Sequence, residues 1–144
     1  VFTSSCGFKV VNKSQLGNYE IAEIITSGEK RVNNKIKNKL LLKSEPGEKK
    51  LIRLNISSKL KKSIEEKNIK NEITKYQITI KVNARFNPID SEKVYKTNAS
   101  SRGDYLVADN HSTTIQNEKK LVENLVEEIS KELKNKISSI INDI

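Results

Sequence analysis

Tyr76-Gln77-Ile78-Thr79-Ile80-Lys81-Val82-Asn83-Ala84-Arg85-Phe86 alternates apolar and polar side chains without a break. A period of two sends Tyr76, Ile78, Ile80, Val82, Ala84 and Phe86 to one face and the polar residues to the other, which is the pattern of a half-buried strand. Upstream, Lys50 to Leu60 repeats it, with Ile52, Leu54, Ile56 and Leu60 on one parity and Arg53, Asn55, Ser57 and Lys59 on the other. The polar segment between them, Lys61 to Lys75, suits a hairpin turn, so an antiparallel pair is expected. Each strand has one apolar face that a second layer must cover.

Working outward, Asn18 to Ile25 is short, β-branched and apolar enough for a buried strand. Thr26-Ser27-Gly28-Glu29 fits a capping box, which places a helix start there. Val32, Ile36 and Leu40, with Leu41 beside them, then form one apolar stripe, and Glu45-Pro46-Gly47 stops the helix. Downstream, Asn87-Pro88-Ile89-Asp90 is a turn. Val94-Tyr95 and Tyr105-Leu106-Val107 bracket a less regular strand in which Gly103 marks a bulge. From about Thr114, Leu121, Val122, Leu125, Val126, Ile129, Leu133, Ile137, Ile140 and Ile144 follow helical spacing to the end.

The order β-α-β-β-β-α predicts an α/β (α+β) two-layer sandwich. The first strand-helix-strand unit crosses over right-handed to a parallel pair, hairpins add the other strands, and both helices cover one face of a four-stranded mixed sheet. The length, 144 residues, suits one domain. With no Trp and no Met, its core is built from Ile, Leu and Val.

The formal charge is +9 and the pI about 9.6. Eleven cations lie between Lys49 and Arg85 against Glu65, Glu66 and Glu72, so eleven minus three leaves +8 in the central hairpin. Nucleic acid, an acidic membrane surface and a phosphorylated glycolipid all suit such a charge, and charge alone does not choose among them. A compositional explanation competes, because Lys, Asn and Ile are frequent throughout, as in Asn33-Asn34-Lys35-Ile36-Lys37-Asn38-Lys39. Tyr76 and Phe86 sit on the inward parity, so no base-stacking platform interleaves with the cations.

Catalytic chemistry is not indicated. His111 is the sole histidine, and the spacing of Asp109, His111 and Glu118 matches no zinc or calcium pattern. Glu65-Glu66 and Glu127-Glu128 read as solvated charge, and five unclustered glycines leave no phosphate loop. Arg102-Gly103-Asp104 is explained by a strand bend. No enzyme activity, metal or cofactor is expected.

The single cysteine, Cys6, cannot form an intrachain disulfide. It follows Val1-Phe2-Thr3-Ser4-Ser5, where an apolar pair runs into small hydroxyl residues, like the tail of a signal peptide ending in a lipobox. Thr3 stands where lipoboxes usually carry Leu. Residues 1–5 are then residual signal peptide, 6–17 a lipidated tether beginning at Cys6, and 18–144 the folded domain. Acyl chains contribute about 0.8 kcal/mol per buried methylene, so several chains hold a protein on a bilayer. No later run reaches the length of a membrane span.

Cys6-Gly7-Phe8, the strand and helix that follow, and Lys75-Tyr76-Gln77-Ile78-Thr79-Ile80-Lys81-Val82-Asn83-Ala84 together resemble the LPS-assembly lipoprotein family LptE. Arg102-Gly103-Asp104-Tyr105 and Asn117-Glu118-Lys119-Lys120-Leu121 are similar to its alphaproteobacterial members. The resemblance implies an outer-membrane lipoprotein on the periplasmic face, acylated at Cys6. It would plug and help assemble the β-barrel LptD and take part in delivering lipopolysaccharide to the cell surface. It also implies lipopolysaccharide binding by a basic residue in the central hairpin turn, a role that falls on Lys70 with Lys67 nearby. Ile115 and Gln116 occupy the stretch where the family carries a second basic site. Two other classes compete: an auxiliary periplasmic lipoprotein of a lipid transporter, and a basic nucleic-acid-binding module, which requires the Cys6 segment to be accidental.

Overall fold

The computed structural model describes residues 18–41 and 49–144. They form β1 (Tyr19–Gly28), α1 (Lys30–Leu40), β2 (Lys50–Lys67), β3 (Ile73–Pro88), β4 (Tyr95–Leu106) and α2 (His111–Asn142). The strands make one mixed sheet in the order β1-β2-β3-β4, parallel between β1 and β2 and antiparallel elsewhere. This is the expected β-α-β-β-β-α sandwich. Ile52, Leu54, Ile56, Ile78, Ile80, Val82, Ala84 and Phe86 are buried against Val32 and Ile36 of α1 and Leu125, Ile129 and Leu133 of α2. The alternation in β2 and β3 therefore does what it predicts, because both helices lie on the face it makes apolar.

The β1–α1 corner differs from the expected capping box. Thr26, Ser27 and Gly28 remain in the strand, and the helix begins at Lys30 with Glu29 as N-cap and no side-chain cap. Two constraints fix the corner instead. Gly28 has φ +94°, and a Cβ there would stand 2.1 Å from the Ser58 carbonyl oxygen, so only glycine lets β1 pair this closely with β2 as the chain turns. Asn33 then closes the turn from inside, its Nδ2 donating to the Ser27 carbonyl at 2.8 Å and its Oδ1 accepting from Ser58 Oγ at 2.6 Å. Asn33 and Ser58 are both buried, and each supplies the partner the other needs.

β1 is half-buried where a buried strand was expected. A register shift between Ile21 and Glu23 turns both Ile21 and Ile24 toward the core. Ile25 lies on the uncovered face, 55% exposed, because both helices occupy the other side. Leu40 is the last residue of α1, and Glu45-Pro46-Gly47 lies outside the described residues, as do Cys6 and the whole of residues 1–17, expected to be a signal-peptide remnant and a tether.

β4 is continuous and pairs with β3 in one unbroken register, so the bulge expected at Gly103 does not form. Its glycine answers to packing: a Cβ there would lie 2.7 Å from Leu121 Cδ1, where α2 presses onto the strand. α2 starts at His111, earlier than the expected Thr114, because Asn110 Oδ1 accepts from the Ser112 amide at 2.7 Å. Asp109 and His111 thus flank a helix cap.

Candidate functional site

The central hairpin is longer than its sequence suggests. β2 continues through Lys61, Lys62, Ser63 and Ile64, paired with Thr79, Ile78, Gln77 and Tyr76, to end at Lys67. The expected turn over Lys61–Lys75 shrinks to residues 68–72. β1 stops pairing at Gly28 opposite Ser58, so Lys59 to Lys67 extends past it, roughly 30 Å of strand at about 3.4 Å per residue.

Asn68 builds the tip. Its Oδ1 accepts from the amides of Lys70 at 2.9 Å and Glu72 at 3.0 Å, while the Asn71 amide donates to the Asn68 carbonyl at 2.9 Å. Asn71 takes φ +66°, a left-handed conformation that asparagine tolerates better than most residues. The loop is thereby held from within and presents Lys67, Ile69 and Lys70 to solvent. Ile69 is fully exposed, an apolar side chain placed between two ammonium groups. Lys67 and Lys70 are thus brought to one exposed apex, as their places in the sequence imply. Ile69 is not legible in the sequence as part of this apex, because no alternation marks an apolar residue in a turn.

Below the tip, the stem meets the start of α2. Lys62, on the helix-facing side, lies 3.0 Å from Glu118 Oε1, and the Tyr105 hydroxyl donates to the same oxygen at 3.0 Å. The Lys62 ammonium stands 4.4 Å from the Tyr76 ring centroid and 5.6 Å from that of Tyr105, and the two rings stack at 5.6 Å. Its contact with the Tyr105 oxygen and then Glu118 raises the Lys62 pKa. Burial raises that of Tyr105. For Glu118 burial pushes the pKa up, but hydrogen bonds from Lys62 and Tyr105 and the charge of Lys62 outweigh it and hold the carboxylate below its ordinary range. Glu118 is thus occupied in fastening α2 to the hairpin, and no cluster suited to a metal ion occurs among the described residues.

Nine of the eleven hairpin cations separate accordingly. Lys62 is neutralised on the inner face, Arg53 lies 3.5 Å from Glu23, and Lys75 lies 3.9 Å from Glu66. Lys59, Lys61, Lys81 and Arg85 point outward from the sheet, and Lys67 and Lys70 occupy the tip. Parity predicts Lys59, Lys81 and Arg85, whereas Lys61 falls in the stretch expected to be a turn. The inner site depends on Glu118 and Tyr105, whose approach to Lys62 no local pattern reveals.

No protein-family model matches the sequence, and no curated protein matches it. Solved structures do. The crystal structure of rare lipoprotein B from Shewanella oneidensis superimposes with a TM-score of 0.59 at 15% identity, over 83% of this chain and 97% of that one. The chain has the fold of rare lipoprotein B. A Caulobacter crescentus protein described as a lipoprotein gives a TM-score of 0.59 at 10% identity, covering 92% of this chain and 97% of its own. Lipoprotein B from Nitrosomonas europaea gives 0.51 at 10% identity, with 88% and 86% covered. The likeness spans nearly the whole of each protein, so it concerns the complete sandwich and not an isolated hairpin.

Proposed function

We propose that this chain is an outer-membrane lipoprotein of the LPS-assembly family LptE, of the alphaproteobacterial kind, anchored through Cys6 on the periplasmic face. In this reading it is a non-enzymatic subunit that plugs and helps assemble an LptD-like β-barrel and takes part in lipopolysaccharide delivery. The observation that carries it is the agreement of fold with rare lipoprotein B, another name for LptE, over 83% of this chain and 97% of that one. Cys6-Gly7-Phe8 supports the anchor independently of the fold.

The hairpin tip supports lipid recognition. Lys67 and Lys70 supply flexible point charges for phosphates, and the exposed Ile69 between them suits a ligand that carries acyl chains beside its charges. Both lysines are exposed, and among the described residues no carboxylate holds either in a salt bridge, so the tip suits such a ligand.

Affinity purification of the tagged full-length precursor from its native envelope, with mass spectrometry of co-purifying proteins and of the Cys6 peptide, tests the assembly role. The expected result is an outer-membrane barrel with acylated Cys6. An inner-membrane transporter would replace this reading with that of a transporter auxiliary, and unmodified Cys6 with bound nucleic acid would overturn it. For the tip, a lipopolysaccharide titration of Lys67→Glu/Lys70→Glu is expected to show weakened binding with an unchanged circular dichroism spectrum. Unchanged affinity would remove the tip from the lipid site.

A further inference from the structure

The sheet face opposite the helices carries Lys59 and Lys61 on β2, Lys81 and Arg85 on β3, and Lys96 and Arg102 on β4, all exposed. The register places Lys59 directly opposite Lys81, and Arg85 directly opposite Lys96. Arg102 pairs with Thr79, which itself lies opposite Lys61. Among the described residues none of these six makes a salt bridge. The positions between them are Asn55, Ser57, Asn83, Asn98, Ser100 and Thr79, so the patch contains no acid. The neighbouring carboxylates lie at its margins, Glu23 beside Arg53, Glu66 beside Lys75, and Asp104 bonded to Gln77.

Like charges directly opposite each other on adjacent strands destabilise a sheet, so this arrangement opposes the fold that displays it. Edge protection accounts for Lys59 and Lys61, which lie where β2 has lost β1 as a neighbour. It accounts equally for Lys96 and Arg102 on the edge strand β4, but not for Lys81 and Arg85 on the inner strand β3, which stand directly opposite Lys59 and Lys96.

We propose that this face docks on the surface of an anionic phospholipid bilayer when the chain is not enclosed by a barrel, its six cations facing phosphate-bearing headgroups. The absence of apolar anchors selects this occupant. Protein interfaces centre on buried aromatic or aliphatic anchors, and single-stranded nucleic acid requires aromatic platforms. The six-cation patch has neither, since Tyr76, Phe86, Tyr95 and Tyr105 all turn to the helix side and the exposed apolar side chains of this face, Ile25, Leu51 and Leu106, stand at its margins. Attraction to a charged membrane surface requires only cations within a Debye length of the headgroups, which a broad sheet face supplies together. The inference does not rest on the assembly reading. Failure to recover a barrel would leave it standing, and failure to bind vesicles would leave the barrel role untouched.

The test is cosedimentation of the unacylated 144-residue chain with vesicles of phosphatidylcholine, alone or mixed with phosphatidylglycerol. Binding is expected only to the mixed vesicles and to fall as salt is raised. Each cation near such a surface contributes about five-fold in partitioning, so Lys59→Gln/Lys81→Gln/Arg102→Gln should weaken binding by on the order of a hundred-fold. Removing like charges spares the fold, and Arg85→Gln/Lys96→Gln provides a second, independent variant expected to lose about 25-fold by the same arithmetic. The helix-side control Lys30→Gln/Lys37→Gln/Lys131→Gln removes equal charge and should lose only a few-fold. Equal losses in the two triple variants, equal binding to neutral vesicles, or tighter binding to duplex DNA than to mixed vesicles would each overturn the proposal.

Discussion

Along the same two strands, the hairpin is held in two different ways. Near β1, β2 and β3 bury Ile52, Leu54, Ile56, Val82, Ala84 and Phe86 almost completely beneath both helices. Beyond Ser58, where β1 has ended, the inward positions become Leu60, Lys62 and Ile64, and the last is 50% exposed. There α2 grips the stem through Lys62, Tyr76, Tyr105 and Glu118. The first region draws on apolar area removed from water, a term that grows with each buried carbon and does not titrate with pH. The second draws on a few charge-assisted contacts that are directional, partly hydrated and titratable. One strand pair can therefore be rigid at its root and adjustable toward its tip.

The contrast can be broken most severely at the root. Phe86→Ala removes a side chain that is 1% exposed and should cost about 3–5 kcal/mol, read as a lower midpoint in urea denaturation. A loss below about 1 kcal/mol would mean that the core repacks and is less rigid than described.

At the boundary between the regions, Ser58→Ala leaves buried Asn33 Oδ1 without its donor and should cost about 1–3 kcal/mol. The change should be accompanied by faster amide exchange at the β1–α1 corner, which a loss of packing elsewhere would not produce.

In the stem, Glu118→Gln should cost no more than about 1 kcal/mol, since the contact is partly exposed. Its pH dependence is the sharper test. The folded Glu118 has a lowered pKa, so its contribution is fully present above its unfolded pKa and is lost as pH falls through the lower folded value. Variant and wild-type stabilities should converge on acidification across that window. A difference that persists there would show the Glu118 contacts to be steric.

At the tip, Lys67→Glu/Lys70→Glu should change stability by less than about 0.5 kcal/mol, because both side chains are exposed and outside the packing. A larger loss would extend the cooperative structure to the tip.

Much of this contrast is legible in the sequence. The alternation in Tyr76–Phe86 and Lys50–Leu60 specifies strands, faces and most of the core, since side-chain direction in a strand follows from backbone geometry alone. The helical spacing from Leu121 through Ile137 is read in the same way, but the helix ends at Asn142, buries Ile141 and leaves Ile144, expected on the stripe, 53% exposed. The tip lysines are legible as turn cations. The stem is not, because Lys62 interrupts the apolar parity and looks like the beginning of a loop. Its ammonium stands over the Tyr76 ring and reaches Glu118, but that role depends on a residue 56 positions away.

The sequence by itself determined the element order, the parallel and antiparallel pairings, the apolar face and the concentration of cations in the central hairpin. These follow from periodicity, turn chemistry and chain handedness, all of which act over short separations or constrain connections directly. Only the tertiary structure decided that Gly28 and Gly103 answer to close approach by Ser58 and Leu121, that Asn33 caps the β1–α1 corner from inside, and that Lys62 is withdrawn from the basic surface while Lys96 and Arg102 join it. The reason is physical: contacts between side chains distant in sequence depend on how strands register and helices seat, and neither is encoded at any single local position.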